Sequence, residues 1–98
     1  VSAGRLQRAL ARSATAAGAA LTIERHRARA WHSATFAGDR HELVVTGASP
    51  ALDAWLDRLD PVALRVPGHV IAELRVVARS SAAGHTRAEL TGYTVVTG

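Results

Sequence analysis

The chain has 98 residues, 48% apolar and 20% charged, with a net charge of +4. That is enough for one modest core, too short for two, and too apolar for a disordered segment. No cysteine is present, which excludes disulfides and thiolate metal sites, and no run approaches the ~20 apolar residues of a membrane span.

All twelve basic side chains are arginine, alanine is abundant and asparagine is absent. This pattern reads as GC-rich coding and not by itself as a nucleic-acid signature. A basic n-region followed by a leucine-rich stretch is also missing, so no secretory signal is read. The expected compartment is the cytoplasm, with a periplasmic fragment of a longer protein as the alternative. Valine at position 1 fits a processed or partial chain.

Ser2 to Ala17 reads as a helix, with Ser2 as N-cap and Gly18 as the C-terminal stop. Leu6, Leu10, Ala14 and Ala17 share one face, while Arg5, Arg8 and Arg12 share another. Leu21 to Glu24 alternate as a strand. The run then enters Arg25, Arg27, Arg29 and Trp31, which share one parity and would form a basic stripe ending in an aromatic.

Gly38-Asp39 lies between two alternating runs and predicts a two-residue hairpin turn. That register sets Phe36 opposite His41, Ala34 opposite Leu43 and His32 opposite Val45, with Phe36 in the core. Leu21 and Ile23 are odd-numbered, whereas Ala34 and Phe36 are even. A bulge or break is therefore expected between Arg25 and Trp31, giving two strands or one long bent strand.

Ser49-Pro50 predicts the start of a second helix, with serine as N-cap and proline in the first turn. Leu52, Trp55, Leu56 and Leu59 supply its apolar stripe, and Pro61 stops it. Its outer face carries Asp53, Asp57 and Asp60, so a basic and an acidic helix are expected to attract one another. Val62, Leu64 and Val66 alternate as a short strand. His69–Arg79 and Thr86–Val96 then make a second hairpin, whose core side is expected to hold Val70, Ala72, Leu74, Val76, Ala88, Leu90 and Val96. Ser80 to Gly84 reads as a loose polar connection.

The same plan is thus written twice, as helix, strand and hairpin, over residues 2–46 and 49–96. Neither unit can bury its own sheet face, so the two are expected to close one core. The predicted fold is a single α+β domain spanning 1–98, a ferredoxin-like-type sandwich. Its duplicated α-β-β units put two helices on one face of an antiparallel sheet. Phe36, Leu43, Leu56, Leu74 and Leu90 are its expected buried residues.

Chemistry-bearing patterns are sparse. His26, His32, His41, His69 and His85 lack the tight spacing of a zinc site, and no metal or cofactor is expected. Ser33 and Ser49 have no nucleophile elbow, and Gly38, Gly68 and Gly84 read as turn residues and not as a phosphate cradle. No enzyme is read from this sequence.

Two phrases, Trp31 to His41 and Gly68 to Leu74, resemble wording that recurs in small uncharacterised bacterial proteins, a likeness that implies no catalytic residues. The doubled helix-and-hairpin plan is similar to the ferredoxin-like domains of bacterial secretion and pilus assembly-platform proteins, a likeness that implies fold alone.

Three functional readings remain. The leading one is a non-enzymatic interaction or assembly module, a homodimer or protein-partner binder acting through the open sheet face or an edge strand. Ile71, Val77, Tyr93 and Val95 are its expected interface, with Val44 on the same face. The second is a nucleic-acid-binding module using Arg25, Arg27, Arg29 and Trp31, since guanidinium and indole together hold phosphate and stack a base. The third is a small-ligand or catalytic pocket near His41, His69 and Glu73.

Overall fold

The computed structural model describes residues 2–97. In chain order the elements are helix α1 (Ser2–Ala16), strands β1 (Thr22–His32) and β2 (Ala37–Ala48), and helix α2 (Ala51–Asp57). A 3-10 turn (Pro61–Ala63) and strands β3 (His69–Ala82) and β4 (His85–Val96) follow. The fold is α+β, with two helices and one four-stranded antiparallel sheet of order β1-β2-β4-β3. Among the described residues no helix is long and apolar enough to cross a membrane.

Helix α1 buries Leu6, Ala9, Leu10 and Ala14, the stripe its spacing requires, while Ala17 lies beyond its end and is exposed. Gly18 ends it at φ +81°, a conformation that side-chain-bearing residues adopt only with strain, and the Ala19 N–H returns to the Ala14 carbonyl at 2.8 Å.

Helix α2 buries Leu52, Trp55 and Leu56. Ser49 does not cap it: Pro50 occupies that position, and the Ser49 hydroxyl bonds Thr86 Oγ1. Asp60 caps the next turn by accepting from the Val62 N–H at 3.0 Å. This local bond competes with extension, and the expected Val62–Val66 strand is accordingly a 3-10 turn. Val62 is 90% exposed, and only Val66 keeps a bridge, to His69.

Leu6, Leu10, Leu52, Trp55 and Leu56 from the helices pack with Leu43, Val45, Leu74, Ala88 and Leu90 from the sheet in one cluster. Both helices therefore cover the same sheet face, and Trp55 Nε1 ties them by donating to Ser13 Oγ at 2.9 Å. Their charged faces do not meet. Arg5 and Arg12 donate to the carbonyls of Pro67 and Arg65, whereas Asp53 and Asp57 engage Arg79 of β3.

The first hairpin turns earlier than its glycine implies. The loop lies at Ser33–Phe36, closed by the Ser33 N–H on the Phe36 carbonyl at 2.8 Å and the Phe36 N–H on Ser33 Oγ at 3.2 Å. Gly38 and Asp39 are strand residues paired with Trp31 and Ala30. Gly38 serves close approach and not turning, since a Cβ there would sit 1.8 Å from the Thr94 carbonyl oxygen.

His41 consequently faces Ala28, not Phe36, and Phe36 is 59% exposed in the loop. His32 and Ala34 are exposed as well. β1 is one long strand whose register shift falls between Ile23 and Arg25, earlier than expected. The extra residue, Glu24, switches parity so that Ile23 and His26 both reach the helix side.

In the second hairpin Ala88 and Leu90 face inward as expected, and the structure adds Thr86 and Thr94 to the same side, with Gly92 between them. On β3 the expected core positions hold at Leu74 and Val76 and fail before them. Register shifts at Ile71/Glu73 and Val76/Ala78 bring Ile71, Leu74 and Val76 to the helix side. Val70 and Val96 are 54% and 48% exposed, and Ala72 is exposed too. Nor is the connection loose. Pairing continues to Ala82↔His85, and the turn residues Ala83 and Gly84 take φ +52° and +77°, matching a tight primed turn.

Candidate functional site

With both helices on one side, the other side of the sheet is bare. Its residues follow from the register. One row crosses all four strands as Trp31, Gly38, Val95 and Val70, and the next as Arg29, Arg40, Tyr93 and Glu73. A third row holds Arg27, Glu42, Thr91 and Arg75, and a fourth Arg25, Val44, Glu89 and Ala78. The face is therefore apolar and aromatic at one end and charged along its middle.

The expected stripe of Arg25, Arg27, Arg29 and Trp31 lies on this face in a single line. Trp31 meets Tyr93 edge-on across the gap left by Gly38, with ring centroids 6.3 Å apart and planes at 80°. Trp31 Nε1 is buried there without a hydrogen-bond partner.

Of the expected interface residues, Tyr93 and Val95 are half-buried on this face, and Val77 is an exposed residue at the β3 register shift. Ile71 does not belong with them: it pairs with Thr94 and packs against the helix-side core. Val44 is on the open face but already buried, at 7% exposure.

The charges divide unevenly. Arg87 pairs with Glu24 at 3.6 Å and Arg75 with Glu73 at 3.8 Å. Among the described residues Arg25, Arg27, Arg29 and Arg40 make no ion pair. Arg29 and Arg40 stand directly opposite each other on β1 and β2, an arrangement that disfavours the free chain through like-charge repulsion. A shallow pocket of about 520 Å³ runs beside them, lined by His26, Arg27, Ala28, Arg29, Arg40 and Glu42.

Behind the sheet runs a polar chain, half-buried at Gln7 and His26 and fully buried at His41 and Thr94, that sequence spacing did not reveal. Gln7 Nε2 lies 2.9 Å from His26 Nδ1, His26 Nε2 lies 2.8 Å from His41 Nδ1, and His41 Nε2 lies 2.8 Å from Thr94 Oγ1. An amide nitrogen only donates, so both imidazoles are neutral and carry their proton on Nε2. Burial pushes His41 down to about 4, with the neighbouring His26 adding to the fall and Asp39 opposing it. Burial also lowers His26, again against Asp39.

At the other end of the same face Thr86 Oγ1 donates to Asp53 Oδ2 at 2.8 Å and meets the hydroxyls of Ser49 and Ser81. Every one of these groups has a partner inside the fold. Satisfied in this way, they rigidify the sandwich.

His41, His69 and Glu73 are not gathered into a pocket. His41 is fully buried on the helix side, Glu73 sits on the open face paired with Tyr93, and His69 begins β3 at the sheet edge. Among the described residues no group of three His, Asp or Glu side chains is placed to hold a metal ion.

Comparison with protein-family models, curated proteins and solved structures returns no match.

Proposed function

We propose that this chain is a non-enzymatic assembly module that self-associates through the open face of its sheet. The carrying observation is the bare face itself, crossed at one end by Trp31, Val95 and Val70 with Tyr93 beside them. Covering such a row stabilises an assembly by about 25 cal/mol per Å² of apolar area removed from water. Extents of 47 by 22 Å give a face on the order of 1,000 Å², enough for the ~800 Å² per partner of a standard interface.

In this reading the two halves are duplicated α-β-β units of a ferredoxin-like-type sandwich. The strand order supports it, because each half contributes one hairpin and the hairpins meet along β2–β4.

Sedimentation equilibrium at micromolar concentration tests the proposal. The expected result is a dimer that Tyr93→Glu converts to monomer, because the carboxylate would be desolvated against the apolar row. A monomer at every concentration, or a dimer that Tyr93→Glu leaves intact, overturns it.

A further inference from the structure

We propose that the outer edge of β1 receives an extended acidic segment of a partner protein, which adds to the sheet as a fifth strand. This goes beyond self-association through the face, for it uses a different surface and a different occupant.

β1 is a sheet edge, hydrogen-bonded only to β2. From Arg25 to His32 its register is unbroken, so its outward N–H and C=O groups form a regular ladder with no partner strand. The opposite edge, β3, is interrupted by two register shifts, a device that blunts strand addition. Of the two edges, only β1 keeps the geometry that a docking strand needs.

Side chains select the occupant. Arg25, Arg27 and Arg29 project to one face at every second residue, and no acid lies on β1 between Arg25 and His32. Arg40 adds a fourth cation behind Arg29. A strand laid along this edge with Asp or Glu at alternate positions would set each carboxylate opposite a guanidinium, and would relieve the Arg29–Arg40 repulsion. On the other face, between His26 and His32, β1 presents Ala28 and Ala30, both exposed and small. The residues between the acids are accordingly apolar.

The same charges exclude a second copy of this chain. Antiparallel β1–β1 pairing about a two-fold axis normal to the sheet would bring arginine opposite arginine, which disfavours it. A nucleic acid fits less well than an acidic strand. One crossing the face would meet Glu42, Glu73 and Glu89, and its aromatic pair is edge-on and gives no parallel stacking platform.

The test uses a labelled peptide as long as Arg25–His32 in which glutamate alternates with valine, titrated against the whole chain by fluorescence anisotropy. Three comparisons accompany it: the peptide N-methylated on alternate backbone amides, a lysine-for-glutamate peptide, and oligothymidylate. The expected result is saturable binding of the acidic peptide, weakened about tenfold or more by N-methylation, which removes ladder bonds. The lysine peptide should not bind. Arg27→Glu with Arg29→Glu should reverse the preference between the two peptides. These side chains are exposed, and a circular dichroism melt confirms folding of the variant, while the N-methyl arm needs no variant at all.

Equal binding of the N-methylated peptide overturns the proposal, since charge alone would then account for capture. So does tighter binding of oligothymidylate, which would assign the stripe to nucleic acid, and so does no binding by any ligand. A dimer that ignores the peptide leaves the self-association reading standing and removes this one; a monomer that captures it does the reverse.

Discussion

Lowering the pH should destabilise this protein before its carboxylates titrate, and the cause is buried His41 with half-buried His26 beside it. His41 is fully buried, bonded to His26 on one nitrogen and to Thr94 on the other. Its pKa falls from 6.5 to about 4 on folding, so between those values the unfolded chain binds more protons than the folded one. Stability then rises with pH across that window, is fully present above about 6.5, and is lost as pH falls toward 4. At about 1.4 kcal/mol per pKa unit the full loss is about 3 kcal/mol, a large share of the ~5–15 kcal/mol that holds a small domain folded. His26, lowered by its own burial, acts in the same direction.

The assay is urea denaturation followed by tryptophan fluorescence at a series of pH values from about 7.5 to 4.5. Trp55 is a buried reporter that packs in the same core. Carboxylates also destabilise in acid, so the deciding quantity is the difference in slope between the natural chain and His41→Leu. The substitution should lower stability at neutral pH by leaving His26 and Thr94 short of a partner, and it should flatten the dependence between pH 6.5 and 4.5. A natural chain with constant stability over that range, or a variant with an unchanged slope, would refute the assignment of a neutral, buried His41 imidazole.

Leu56→Ala should cost about 2–5 kcal/mol by the same denaturation assay, because the side chain is enclosed between α2 and the sheet. Phe36→Ser separates the two hairpin registers. The observed loop position makes the change worth less than ~0.5 kcal/mol, whereas a core phenylalanine would lose several times more. Gly38→Ala should abolish or severely weaken folding as judged by a thermal melt, since its Cβ would overlap the Thr94 carbonyl. Gly18→Ala is its control: nothing lies within 4 Å of the added carbon, so only the strain of φ +81° remains, about 1 kcal/mol. Arg79→Ala should change stability by no more than ~1 kcal/mol, because its bonds to Asp53 and Asp57 are solvent-accessible.

Local periodicity by itself determined the elements that bury one clear stripe. Leu6, Leu10 and Ala14 place α1, Leu52, Trp55 and Leu56 place α2, and the inward alternation of Ala88 and Leu90 places β4. The Arg25–Trp31 stripe was legible for the same reason, since parity alone puts alternate residues on one face. Parity says nothing, however, about where a strand gains an extra residue. The register shifts at Glu24, Ala72 and Val77 are set by pairing across the sheet, and they moved Ile71 to the helix side and left Val70 exposed.

Gly38 shows the same limit: glycine permits both a turn and a close approach, and only the neighbouring Thr94 backbone decides between them. Asp60 likewise extends or caps according to what its side chain reaches. The Gln7–His26–His41–Thr94 chain joins α1 and three strands, and its members are up to fifty-three positions apart between bonded neighbours. Hydrogen bonds of that kind leave no spacing in the sequence, because the folded sheet alone brings their donors and acceptors within reach.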